Sequence, residues 1–241
     1  MSPHVLAFDT STSRGSLALV QDDRLLAEYT LESTASYLNR LLAGIDRLLQ
    51  DTGRTIQEVD LIVVSRGPGN FTGLRLGLST AKGLALALGC PVMAVNTLDA
   101  LAANFPWTAL PVCPVIDAKK NEVYAAFYES QGFFGQLAGD YLLLRPEALA
   151  ARITRPTLIT GPGLERYGTL FTELLGDLAV LPPPEYRHVR AGVLARLGWR
   201  QFSTGAVPEL DKLAPFYLRP ADAELKKTPA AAAALKSQGE L

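Results

Sequence analysis

Arg66-Gly67-Pro68-Gly69-Asn70-Phe71-Thr72-Gly73-Leu74-Arg75-Leu76-Gly77 joins a short apolar run, residues 61–64, to a helical pattern over residues 71–88. A glycine-rich link between strand and helix is where free backbone N–H groups meet anions. Neither familiar phosphate loop fits. A P-loop needs Gly-Lys-Ser/Thr at the helix start, and here Leu74 follows Gly73. A dinucleotide fingerprint has Gly67 and Gly69 but needs a third glycine where Thr72 stands. What remains is a tight turn with Asn70 as helix cap, serving either as structure alone or as a ligand contact.

Along the helix, Gly73, Gly77, Ala81, Ala85 and Gly89 recur every four residues. Glycine within a helix costs about 1 kcal/mol relative to alanine, so the row needs a cause. Small residues let another backbone approach closely. That neighbour is either the protein's own sheet or a helix of another subunit. With Leu74, Leu78 and Leu84 read as an opposite, sheet-facing side, the helix has two packing faces, which favours the intersubunit contact.

Outward from this segment, apolar runs at 5–8, 16–20 and 25–31 with short turns predict an antiparallel meander. Leu38, Leu41, Leu42, Ile45, Leu48 and Leu49 form one stripe at helical spacing, with Ser33 or Thr34 as a start and Gly53 as an end. Residues 92–95 read as a strand, and Thr97 as the cap of a third helix. The order βββαβαβα implies a largely parallel sheet covered by helices. After a proline-rich crossing at 104–114 the pattern restarts: strands at 112–116, 123–128 and 137–144, a short helix at 147–152, a strand at 157–160, and helices at 164–175 and 189–202. The chain thus reads as α/β, a duplicated unit with a shortened second copy: residues 1–105, residues 106–222, and a flexible tail over 223–241.

The 241 residues suffice for one large or two small domains. A composition of 48% apolar and 20% charged residues excludes a disordered chain. The net charge of −1 argues against a broad nonspecific nucleic-acid surface. Two cysteines, Cys90 and Cys113, make no disulfide framework, and with only His4 and His188 they make no zinc site. They read as buried thiols in a reducing compartment. Residues 1–9 lack a basic flank, and residues 76–95 carry Lys82, glycines and Pro91. Neither a secretory signal nor a membrane span is expected, and the predicted location is cytoplasmic.

Candidate chemistry is sparse. Asp9-Thr10-Ser11-Thr12 ends the first run, and Asp117 ends the first run of the second half. Each carboxylate either holds a metal–phosphate group or caps its turn. No His-x-x-x-His pair and no Gly-x-Ser-x-Gly elbow occur, so a zinc peptidase and an elbow hydrolase have no residues to work with. Lys119-Lys120 and Arg187, Arg190, Arg196 and Arg200 read as solvated faces.

The central segment through Lys82-Gly83 resembles the signature of the TsaB (YeaZ) family. So do Leu6-Ala7-Phe8-Asp9-Thr10-Ser11, the stretch from Ile116-Asp117-Ala118 to Glu122-Val123-Tyr124, and Leu213-Ala214-Pro215-Phe216-Tyr217-Leu218-Arg219. The resemblance implies a two-lobed actin/hexokinase-like (ASKHA) fold with a βββαβα core in each lobe. It also implies a non-catalytic, scaffolding role in forming N6-threonylcarbamoyladenosine at position 37 of tRNA, beside a TsaD-like paralogue and a TsaE-like ATPase. ATP and magnesium are then used by the partner complex, and no cofactor is expected on this chain. The family's homodimer and TsaD contacts carry over to Leu38, Leu42, Ile45, Gly69, Asn70, Phe71, Gly73, Leu74, Gly77, Thr80 and Ala81. Asp9, Thr10, Ser11 and Asp117 fall at a degenerate nucleotide site. Two departures stand out: the histidine usual at the start of the first helix is missing from Thr34-Ala35-Ser36-Tyr37-Leu38-Asn39, and Asn70 replaces the usual serine. The competing reading is an actin-fold phosphotransferase with Asp9 and Asp117 around a magnesium nucleotide.

Overall fold

β1 (His4–Asp9), β2 (Arg14–Gln21) and β3 (Arg24–Glu32) form the expected meander in the computed structural model, which describes residues 3–32, 37–130, 134–205 and 210–219. β4 (Val59–Ser65) adds parallel to β1, and β5 (Val92–Val95) parallel to β4, giving the order β3-β2-β1-β4-β5. Between these strands run α1 (Tyr37–Thr52) and α2 (Phe71–Leu88), followed by α3 (Thr97–Ala102).

The second half repeats the plan. Its strands are β6 (Val112–Asp117), β7 (Val123–Ala125), β8 (Tyr128–Glu129), β9 (Gln136–Leu137), β10 (Leu142–Leu144), β11 (Thr157–Thr160) and β12 (Ala179–Val180). The main path runs β10-β7-β6-β11-β12, the same arrangement as the first sheet. α4 (Pro146–Ala150), α5 (Leu164–Leu175) and α6 (Ala191–Ser203) complete it. The runs expected as single strands at 123–128 and 137–144 are each broken. Residue 125 pairs within the β6–β7–β10 ladder while Tyr128 pairs with Val112 and Leu137. Gly139 takes a left-handed φ of +97° between β9 and β10.

Alternation along each strand sorts the first core into two faces. Leu6 and Phe8 of β1 join Ile62, Val64, Leu41, Ile45, Leu48, Leu78, Ala81 and Ala85 under α1 and α2. Val5 and Ala7 join Leu61, Val63 and Val95 under α6, in a cluster that also takes in Leu98 and Leu101 of α3. α6 packs across β1, β2, β4 and β5, with Gly198 pressed so closely on β4 that an added Cβ would stand 2.4 Å from Val63. A division at residue 105 therefore places in the second unit a helix whose packing partner is the first sheet.

Caps follow the sequence with one shift. Asn70 Oδ1 accepts from Gly73 N at 2.9 Å, and Gly53 and Gly89 end α1 and α2 with φ of +64° and +68°. For α3 the cap is Asn96, whose Oδ1 accepts from Leu98 N at 2.8 Å, rather than Thr97. Ser33, Thr34 and the 223–241 tail lie outside the described residues.

Candidate functional site

The glycine-rich loop and the Asp9-Thr10-Ser11 turn are packing partners. Asn70 N donates to Ser11 O at 2.7 Å, and Thr10 Oγ1 donates to Gly73 O at 2.7 Å. A Cβ added at Gly69 would stand 2.3 Å from Ser11 O, at Gly73 2.0 Å from Thr10 O, and at Gly77 2.2 Å from Thr10 Oγ1. The glycines thus admit the neighbouring turn. Two carbonyl oxygens occupy the ground beside the start of α2 that an anion would need, so this loop is not a phosphate cradle.

The small-residue row is accordingly internal. Gly73, Gly77, Ala81 and Ala85 are buried together with Leu74 and Leu78. At 100° per residue Leu74 and Leu78 lie beside the row and not opposite it, so the helix has one packing face and the expected second one is open. Of the residues carried over as partner contacts, Ile45, Gly73, Leu74, Gly77 and Ala81 are buried in the chain itself; Gly69 and Thr80 are half-buried; Leu42, Asn70 and Phe71 are exposed; the Leu38 side chain lies outside the described residues. The open face of α2 carries Phe71, Arg75, Ser79 and Leu86, the last 72% exposed, with Leu42 of α1 also on the surface. Arg75, Ser79 and Leu86 were missed by the sequence analysis, although a helical wheel places them opposite the glycine row.

Between the lobes lies a cleft of about 440 Å³, lined on one side by Ser11, Thr12, Ser13 and Asn70 and on the other by Asp117, Lys119, Glu165 and Arg166. Asp9 and Thr10, each 1% exposed, are absent from that lining. Asp9 Oδ1 accepts from Ser11 N at 3.1 Å, from Ser11 Oγ at 2.6 Å and from Ser65 Oγ. Burial still pushes its carboxyl above the ordinary carboxylate range, against the pull of those donors. Asp117 does face the cleft. Burial raises its pKa, but Lys119 more than reverses this, through N at 2.8 Å and Nζ at 3.0 Å, and with Arg166 at 3.5 Å leaves the carboxyl below its usual value. Asp9 is thus buried off the cleft, with Oδ2 unpartnered among the described residues, while Asp117 stands at the cleft edge matched by Lys119 and Arg166. No cluster of three His, Cys, Asp or Glu side chains occurs among the described residues. Nor is any described helix long and apolar enough to cross a membrane.

The sequence model described as "TsaD: tRNA N6-adenosine threonylcarbamoyltransferase" matches residues 25–150. The chain is similar to the tRNA threonylcarbamoyladenosine biosynthesis protein TsaB of Bacillus subtilis (strain 168), with 31% identity over 225 residues, 92% of this chain and 96% of the relative. Among solved structures, YeaZ from Pseudomonas aeruginosa superposes with a TM-score of 0.76 at 32% identity, covering 90% of this chain and 100% of that one. The (R)-2-hydroxyglutaryl-CoA dehydratase component A of Acidaminococcus fermentans, with a TM-score of 0.53 at 10% identity over 84% of this chain and 100% of its own, shares the fold alone. With the same strand order in both sheets, the fold is actin/hexokinase-like, and the chain belongs to the TsaB (YeaZ) family of tRNA threonylcarbamoyladenosine biosynthesis proteins.

Proposed function

We infer that this chain is the non-catalytic partner of a TsaD-type threonylcarbamoyltransferase, docking through the open face of α1 and α2 in the cytoplasm. The observation that carries this reading is the mutual closure of the Asp9-Thr10-Ser11 turn and the α2 start. Of the groups that an actin-fold phosphotransferase would turn toward a nucleotide, the Thr10-Ser11 turn is here engaged with the α2 start, and Asp117 with Lys119 and Arg166. The outward residues of α2, Phe71, Arg75 and Leu86, are instead of the kind that fill an interface. A TsaE-like ATPase joins the pair, tRNA is the substrate of the whole complex, and ATP and magnesium are held by the partners. Without a partner, the same face pairs two copies of this chain.

Size-exclusion chromatography with light scattering, on this protein alone and with the TsaD-type subunit of its own organism, tests the reading. A mixed species that Leu86→Glu removes while the variant stays folded is the expected result. No mixed species, with or without ATP and the ATPase, overturns it. Micromolar ATP binding by the isolated chain, lost in Asp9→Ala, would favour the phosphotransferase instead.

A further inference from the structure

The family-like stretch at residues 213–219 has so far been given no task. Phe216 N donates to Arg66 O at 2.7 Å, and Phe216 O lies 2.7 Å from where a Cβ on Gly67 would stand. The chain therefore rests on the loop that precedes α2. The next residue, Tyr217, lies on α2 itself. Its ring stacks on Phe71 with centroids 5.2 Å apart and 24° between planes. The Arg75 guanidinium covers the Phe71 ring at 3.8 Å, and Arg75 Nε donates to Tyr217 Oη at 3.2 Å. Two residues on, Arg219 reaches the second sheet. It donates from Nη1 to Ala118 O at 2.7 Å and pairs through Nη2 with Glu122, both in the turn joining β6 and β7. Tyr217 is thus held between an anchor on the first lobe and one on the second.

We propose that Tyr217 completes the docking face of α2 for the transferase subunit, and that Arg219, anchored on the β6–β7 turn, positions it there. The inference rests on the docking reading given above. Although stacked, Phe71 and Tyr217 remain 40% and 38% exposed. Aromatic rings with an arginine are the residue types that dominate binding energy at interfaces. Here they are already ordered before a partner arrives, so little rotamer freedom remains to be lost on binding. The Nη groups of Arg75 make no hydrogen bond among the described residues, which leaves a two-pronged donor for a carboxylate. The partner surface that fits is an apolar side chain seated on the ring pair with an Asp or Glu beside it.

Isothermal titration of the full-length chain with the TsaD-type subunit tests this, each variant first checked for fold by circular dichroism and melting. Tyr217→Ala is expected to weaken binding by about tenfold or more. Tyr217→Phe, which keeps the stack, loses a few-fold at most. Arg219→Ala weakens binding less than Tyr217→Ala, and the double variant binds no worse than Tyr217→Ala alone, because Arg219 acts through Tyr217. Arg75→Glu, which lifts the guanidinium off the Phe71–Tyr217 pair and reverses the charge offered to the partner, loses about tenfold. Wild-type affinity in folded Tyr217→Ala and Arg75→Glu overturns the inference and leaves the docking reading intact. A wild-type chain that fails to bind overturns both.

Discussion

Thr10 and Gly73 meet twice: the threonine hydroxyl donates to the glycine carbonyl at 2.7 Å, and the threonine carbonyl stands 2.0 Å from where a Cβ on residue 73 would project. Gly77 repeats the contact one turn later against Thr10 Oγ1. Gly77→Ala therefore forces the β1–β2 turn and α2 apart, at a cost of about 1–3 kcal/mol in urea unfolding. Gly83, on the same helix, has nothing within 4 Å. Gly83→Ala is expected to gain about 1 kcal/mol. Equal effects at the two positions would refute the close-approach account.

Asp9 gives a pH signature. Its folded pKa lies above the ordinary value of 3.8 because of burial, so ionisation works against the fold. The cost is absent below the unfolded pKa and grows as pH rises through 3.8 toward the folded value. Asp9→Asn keeps an oxygen to accept from Ser11 and Ser65. Its stability relative to wild type should improve as pH rises through 3.8 and above. Asp9→Ala strands those donors and costs about 1–3 kcal/mol. A relative stability of Asp9→Asn that declines with pH would contradict this assignment.

A cross-lobe contact is carried by Asp99 on α3, whose Oδ1 accepts from Tyr128 Oη at 2.6 Å and Tyr141 Oη at 2.8 Å. Asp99→Ala leaves the buried Tyr128 hydroxyl without its acceptor and is expected to cost about 1–3 kcal/mol. Tyr141→Phe, which leaves the Tyr128 bond in place, should cost less. Chemical denaturation of the two variants checks the order.

Burial pushes the Cys113 thiol far above its ordinary pKa, and the half-buried Cys90 also upward. Since the thiolate is the reactive form, Ellman's reagent at pH 8 should leave Cys113 unmodified in the folded protein. Two thiols should react in denaturant. Rapid modification of Cys113 under native conditions would show that its surroundings open readily.

Much of this architecture is legible in the sequence because it rests on local patterns. Unbroken apolar runs at Val5 to Phe8 and at Leu61 to Val64 mark strands buried on both faces, and the stripe from Leu41 to Leu49 marks α1. Asn70 announces itself as a cap; Asn96 and Thr97 are both good caps, so choosing between them needed the backbone. The function of the glycine row was harder. A four-residue repeat says that something comes close, but only the fold says that it is Thr10. Leu74 and Leu78 were placed on the wrong side by counting positions without turning the helix. Tyr217 and Arg75 lie 142 residues apart, and no local pattern connects them. The exposed side of α2 was therefore the least legible part of the candidate site.

The placement of α6 bears on the order of synthesis. Val5, Ala7 and Val63 emerge from the ribosome early, yet their cover, residues 191–203, comes near the end of the chain. Until then that apolar side of the first sheet lacks the helix that packs across it. The N-terminal half thus cannot finish folding as it is made, and must be kept from aggregating while it waits. A nascent chain stopped before Ala191 would be a client for chaperones, whereas one carried past Ser203 could close its first core.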